Sequence, residues 1–87
     1  MTLEIDELED MEPNSIVDAR GSACPGPLLE AKKGIGSVNV GEVLEVRSDD
    51  AGSRADIPVW AEKVGHEWLG ALEAEEGYDR LFVRRGK

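Results

Sequence analysis

The hydrophobic pattern of this chain changes period several times, and each change marks an element. From Glu42 to Arg47 it alternates: Val43 and Glu45 point one way, Leu44 and Val46 the other. That period of two predicts a strand. A shorter strand is predicted over Ser15 to Ala19, with Ile16 and Val17 as its apolar content. Between these strands Leu28, Ala31, Ile35 and Val38 recur at helical spacing and form a stripe that a sheet could cover. Lys32 and Lys33 lie toward the end of this helix, where cations suit the helix dipole, whereas Gly34 and Gly36 predict that it loosens or stops early.

A second helical face follows in Ile57, Trp60, Ala61 and Val64, ended by Gly65. Pro58 breaks a helix interior, so the pattern predicts an early turn near Ala51 to Ala55 and then a helix capped by Asp56. Ser48, Asp49 and Asp50 are further cap candidates. Glu67 to Ala74 reads as a third strand with Trp68, Gly70, Leu72 and Ala74 on one face, and Glu75-Glu76-Gly77 turns the chain. Tyr78 to Arg84 reads as a fourth, with Leu81 and Val83 on one face and Phe82 on the other. The order β-α-β-α-β-β predicts an α+β fold, a two-layer sandwich with a mixed four-stranded sheet and both helices on one face.

Composition narrows the function. With 87 residues, 40% of them hydrophobic, the chain suits one small domain. Residues 1–14 form an acidic leader with no basic residue, set off by Pro13 and Asn14 and expected to be flexible or loosely docked, while 15–87 form the domain. Nineteen acidic against ten basic residues leave a net charge of −9, which argues against binding nucleic acid or an anionic membrane and favours protein partners. No apolar run approaches the ~20 residues of a membrane span, and the start lacks the features of a signal peptide. A single cysteine forms no internal disulfide, so the expected location is the cytoplasm.

That cysteine lies in the most informative stretch, Asp18-Ala19-Arg20-Gly21-Ser22-Ala23-Cys24-Pro25-Gly26-Pro27. Prolines are tolerated in a first helical turn, so Cys24 reads as the N-cap, Pro25 as the first helical residue and Pro27 as the third. Pro27 has no N–H to offer a capping side chain, which leaves Gly26 as the near donor and an uncluttered approach to the sulfur. A thiolate is favoured at a helix N-terminus, and Arg20 adds to that while Asp18 and the overall charge oppose it, so a modestly lowered thiol pKa is expected. Asp18 and Gly21 read as strand-end and turn residues.

These residues resemble the TusA/SirA family of small sulfur-carrier proteins. The similarity begins with Asp18-x-x-Gly21-x-x-Cys24-Pro25-x-Pro27 and continues through Asp49-Asp50, Asp56-Ile57-Pro58-x-Trp60 and Gly65-His66. It implies the same sandwich, and it implies that Cys24 accepts sulfane sulfur from a cysteine desulfurase or rhodanese-like donor. The sulfur would be held as a persulfide and passed to an acceptor protein in tRNA thiolation, molybdenum-cofactor maturation or sulfur metabolism. Such a protein is a relay component more than a stand-alone enzyme.

Other readings carry less. A thiol-based redox sensor would use the same cysteine but needs a resolving thiol from elsewhere, and an interaction domain would use Cys24 only as a cap. His66 reads as the residue after a helix stop in preference to a base for Cys24. Asp49, Asp50 and Asp56 with one His and one Cys lack the spacing of a metal site, and Gly34-Ile35-Gly36 is no dinucleotide loop, so neither metal nor cofactor is expected. Trp60 and Trp68 read as core.

Overall fold

In the computed structural model, which describes residues 5–21, 26–50, 52–74 and 76–87, eight stretches of regular structure follow one another. They are helix α1 (Ile5–Glu9), strand β1 (Ser15–Asp18), helix α2 (Gly26–Gly34), a 3-10 turn (Ile35–Ser37), strand β2 (Val43–Ser48), helix α3 (Ser53–Val64), strand β3 (Glu67–Glu73) and strand β4 (Asp79–Arg84). The strands form one mixed sheet in the order β1-β2-β4-β3. β1 and β2 run parallel, joined by α2, and the other pairings are antiparallel. This is the expected α+β architecture, with α2 and α3 covering one face.

The main core lies between those helices and the sheet. Ala31, Ile35, Ile57 and Ala61 meet Leu44, Val46, Leu81 and Val83, with Trp60 and Trp68 packed at its margin. Gly34 is needed here for space: a Cβ at that position would collide with Val17 Cγ2 and crowd the Leu44 methyls. A residue read from sequence as a weak helix former is therefore a close-approach point between α2 and the parallel strands. Gly36, by contrast, faces open space.

Three details differ from the pattern-based expectation. First, α3 is one continuous helix from Ser53 with Pro58 inside it, and Asp56 lies within its first turn instead of capping it. The proline removes one helical hydrogen bond, but buried Ile57 and Ala61 hold the helix on the sheet from both sides of it. Gly65, at φ +92°, then closes the helix with a left-handed cap.

Second, β3 does not keep Trp68 and Leu72 on one face. Opposite β4, Trp68 pairs with Val83 and Gly70 with Phe82, so Leu69 is an extra residue, a β-bulge. Gly70 has φ +142°, a backbone conformation open to glycine. After the bulge the alternation reverses, so Trp68 and Ala71 pack with the helices while Leu69 and Leu72 face the opposite side.

Third, the acidic leader carries α1, and Leu8 is only 1% exposed. It packs with Val43, Leu69, Leu72 and Phe82 in a second apolar cluster on the sheet face away from α2 and α3, and Met11 lies alongside. Asn14 stitches the following segment to β2: its N–H donates to the Val43 carbonyl at 2.8 Å, and its Oδ1 accepts from the Val43 N–H at 3.0 Å. The second face, solvent-facing in many two-layer folds, is here partly covered.

Candidate functional site

The parallel β1–α2–β2 unit determines where the site forms. The α2 crossover returns the chain parallel to itself, so the carboxyl ends of β1 and β2, at Asp18 and Arg47, lie side by side. The cysteine falls in the loop after β1, two residues before α2. Ser22, Ala23, Cys24 and Pro25 lie outside the described residues, so the site is built from what flanks them, Asp18 to Gly21 before and Gly26 onward after.

Asp18 is the last residue of β1. Its Oδ1 accepts from Arg20 Nε at 2.8 Å and from the Arg20 N–H at 3.1 Å, and its Oδ2 accepts from Nη2 at 2.7 Å. These bonds hold the Asp18 carboxyl well below the usual carboxylate range. The Arg20 guanidinium carbon sits 4.7 Å from the centre of the Tyr78 ring, and that of Arg47 lies 5.9 Å from it. Gly21 has φ +85°, which provides the turn. Gly26 opens α2, and Pro27 is fully buried beneath it.

The loop after β2 reaches back to this turn. The Gly21 N–H donates to the Asp49 carboxylate, 3.0 Å from Oδ1 and 3.1 Å from Oδ2. The residues flanking Asp49 are tied as well. Ser48 Oγ accepts from the Asp50 N–H at 3.1 Å and bonds the Ser53 hydroxyl at 3.2 Å, and Ser53 Oγ donates to Asp50 Oδ2 at 3.2 Å. Neither acid caps α3, whose N-cap is Gly52 with no side-chain cap bond: the Asp50 carboxylate accepts from the Ser53 hydroxyl, while Asp49 serves the turn at Gly21. Adjacency along the chain hid this difference.

On the sheet face away from α2 and α3, Glu45 is fully buried. Its Oε2 accepts from Arg47 Nε at 2.7 Å and its Oε1 from Arg80 Nη2 at 2.9 Å. Burial pushes its carboxyl upward, but the hydrogen bonds from Arg80 and Arg47 outweigh this and hold it below the ordinary glutamate value. Sequence reading missed this network because its arginines come from two strands distant in the chain. A lone Glu among Val43, Leu44 and Val46 was the signal available.

Alongside α2, Leu28 and Lys32 form a groove of about 310 Å³ with Asp56, Val59, Trp60 and Lys63 of α3. Val59 is 66% exposed there, and Leu29 is also exposed. Two lysines at an apolar groove stand out in so acidic a chain. Among the described residues, no three His, Cys, Asp or Glu side chains gather to hold a metal ion, and no helix is long and apolar enough to cross a membrane.

His66 is engaged at the other end of α3. Its Nδ1 accepts from the Gly86 N–H at 3.0 Å, and its ring lies 5.5 Å from that of Trp60. Burial, then Arg85 and Lys87, lower its pKa. An imidazole whose folded pKa lies below its unfolded value of about 6.5 contributes stability present above that pH and lost as pH falls through the folded value. Thermal melts of the wild-type chain and His66→Gln should therefore diverge in pH dependence from about pH 6.5 downward, with the wild type losing relatively more. Parallel curves would assign His66 no such role.

Fold and loop together define a small α+β domain whose one cysteine falls between a strand and a helix of a parallel crossover. A family model described as sulfurtransferase TusA matches residues 15–85. A relative from Archaeoglobus fulgidus, described as a candidate sulfur carrier protein, is 53% identical over 72 residues, covering 83% of this chain and 97% of its own. The sulfur carrier protein TusA of Pseudomonas putida is 32% identical over 78 residues, 90% of this chain and 96% of that one. The crystal structure of a SirA-like protein from Desulfitobacterium hafniense superimposes with a TM-score of 0.72 at 28% identity, covering 84% of this chain and 99% of that one. The chain belongs to the TusA family of sulfur-carrier proteins.

Proposed function

We propose that the chain carries sulfane sulfur as a persulfide on Cys24, with a cysteine desulfurase or rhodanese-like protein as donor and another protein's cysteine as acceptor. The Cys24 thiolate attacks the outer sulfur of the donor's R–S–SH. The donor's sulfur–sulfur bond breaks, R–S⁻ leaves, and Cys24 holds the S–SH group; the acceptor thiolate repeats the step on Cys24. No external oxidant or reductant is consumed. The observation that supports this reading most is the anchoring of the cysteine loop on both sides, by the Asp49-held Gly21 turn and by the start of α2, in a chain with no second thiol.

In this reading Asp18, Arg20 and Gly21 hold the turn, Gly26 and Pro27 form the helix start, and the Leu28–Trp60 groove with its lysines offers a surface for partner contact. The reading places the protein in the cytoplasm as a relay component, with tRNA thiolation, molybdenum-cofactor maturation or sulfur metabolism as destinations. Intact-mass spectrometry tests it. After incubation with a cysteine desulfurase and cysteine, or with a rhodanese-type donor, the chain should gain the mass of one sulfur atom, and reductant should remove it. An unchanged mass with every donor, on a chain whose thiol is confirmed free, would overturn the reading.

A further inference from the structure

We infer that the cavity beside the β3–β4 turn binds a small zwitterion, an α-amino acid or short peptide that carries a free carboxylate and a free ammonium. The inference goes beyond the carrier reading and does not involve the cysteine. The cavity measures about 470 Å³ and is lined by Arg47, Glu73, Ala74, Glu76, Tyr78 and Arg80. Its lining therefore sets two arginines against two glutamates.

Arg47 and Arg80 stand directly opposite one another on β2 and β4, so both side chains leave the sheet on the same face and their like charges repel. A single carboxylate, Glu45, serves both, through one bond each from Arg47 Nε and Arg80 Nη2. Arg20, by contrast, grips Asp18 through Nε and Nη2 together. The Arg20 fork is filled, whereas Arg47 and Arg80 keep N–H groups for a further acceptor. Arg80 is under-supplied in a second way: its Nε is buried with no hydrogen-bond acceptor, the single buried side-chain N or O atom in that condition among the described residues, and such donors are costly. Two guanidiniums on one carboxylate leave a place for a second, and arginine is suited to planar, two-bond recognition of that group.

The other charged lining is acidic. Glu73 shares Arg54 with Asp79, at 3.4 Å in each pair, and Glu76 is exposed. A lone anion entering the cavity meets these carboxylates, in a chain whose net charge of −9 already opposes it. A lone cation meets the two guanidiniums. A molecule with its carboxylate toward the arginines and its ammonium toward the glutamates satisfies both, which is the charge complementarity that selects one ligand class over its singly charged relatives. The Arg20 guanidinium over the Tyr78 ring, 4.7 Å from its centre, steadies the segment that carries Glu76 and Arg80.

Glycine, triglycine, N-acetylglycine and glycinamide test this, each titrated into the full chain at low ionic strength and followed by NMR at the amides of Ala74, Glu76, Tyr78 and Arg80. Glycine stands for a free amino acid and triglycine for a peptide, and the tighter of the two identifies the source. That zwitterion should bind about tenfold more tightly than N-acetylglycine or glycinamide, each of which lacks one charge-assisted contact. Glu76→Gln, at an exposed position, should weaken it about tenfold, to the level of N-acetylglycine, and Arg47→Gln should weaken it by about as much. Lys32→Gln, in the groove between the helices, should leave it unchanged. No saturable shift with either zwitterion, equal binding of N-acetylglycine, or zwitterion binding untouched by Glu76→Gln would each overturn the inference. These three outcomes decide it even where Arg47→Gln fails to fold, because they need only the wild-type chain and a surface variant.

Discussion

Cys24→Ser should abolish sulfur loading completely while leaving the fold intact. The chain has one cysteine, so any reductant-labile sulfur it gains must reside there. The substitution exchanges sulfur for oxygen and little else, yet it removes the chemistry. A hydroxyl is almost wholly protonated at neutral pH, whereas a thiol near a helix N-terminus is partly ionised, and thiolate is the form that attacks a sulfur–sulfur bond. The measurement pairs intact mass with far-UV circular dichroism on the same sample. A folded serine variant that still acquires one reducible sulfur would sink the assignment of Cys24. If the serine variant instead keeps full activity toward a partner in vivo, the cysteine is only a cap and the carrier reading falls with it.

Glu45→Ala should be strongly destabilising, on the scale of truncating a core residue. Glu45 is fully buried between Arg47 and Arg80, which are about 30% and 28% exposed. Removing one partner of a buried ion network costs about 3–5 kcal/mol, because the remaining charges lose their compensation. The two arginines can regain some water, which favours the lower end of that range. A chain of this size has about 4–13 kcal/mol in all, so the variant would spend much of its margin. At about 4–8 °C per kcal/mol, the melting temperature should fall by at least about 12 °C.

The same group gives a pH dependence. Its carboxyl lies below the ordinary value in the folded state, so its contribution is present above the unfolded value of about 4.3 and lost as pH falls through the folded one. Replacing Glu45, Arg47 and Arg80 together by Leu or Met should recover most of the loss, since a well-packed apolar cluster often matches a buried ion triad. A Glu45→Ala melting temperature within about 4 °C of wild type would show that the network contributes little.

How much of this was legible beforehand differs from element to element. The alternation of Val43 to Val46 and the helical spacing of Ile57, Trp60 and Ala61 marked their elements because side-chain period is a local property. Pro58 misled the placement of α3: local propensity disfavours it, but burial of Ile57 and Ala61 outweighs one missing hydrogen bond. The face of Leu72 was wrong for a similar reason. Nothing near Leu69 announces that it is an extra residue opposite β4, because a bulge is a relation between two strands.

The candidate site divides along the same line. Sequence by itself determined the elements from Ser15 onward and their order, the single thiol and its place between a strand and two prolines, since these depend on local period, backbone restriction and residue chemistry, whereas α1 in the leader was not legible. Tertiary structure decided which distant polar groups meet. The parallel pairing of β1 with β2 brings Asp49 to Gly21 across 28 positions, and the pairing of β2 with β4 brings Arg80 to Glu45 across 35. Such contacts depend on strand register and crossover topology, which arise only when the whole sheet closes around its core.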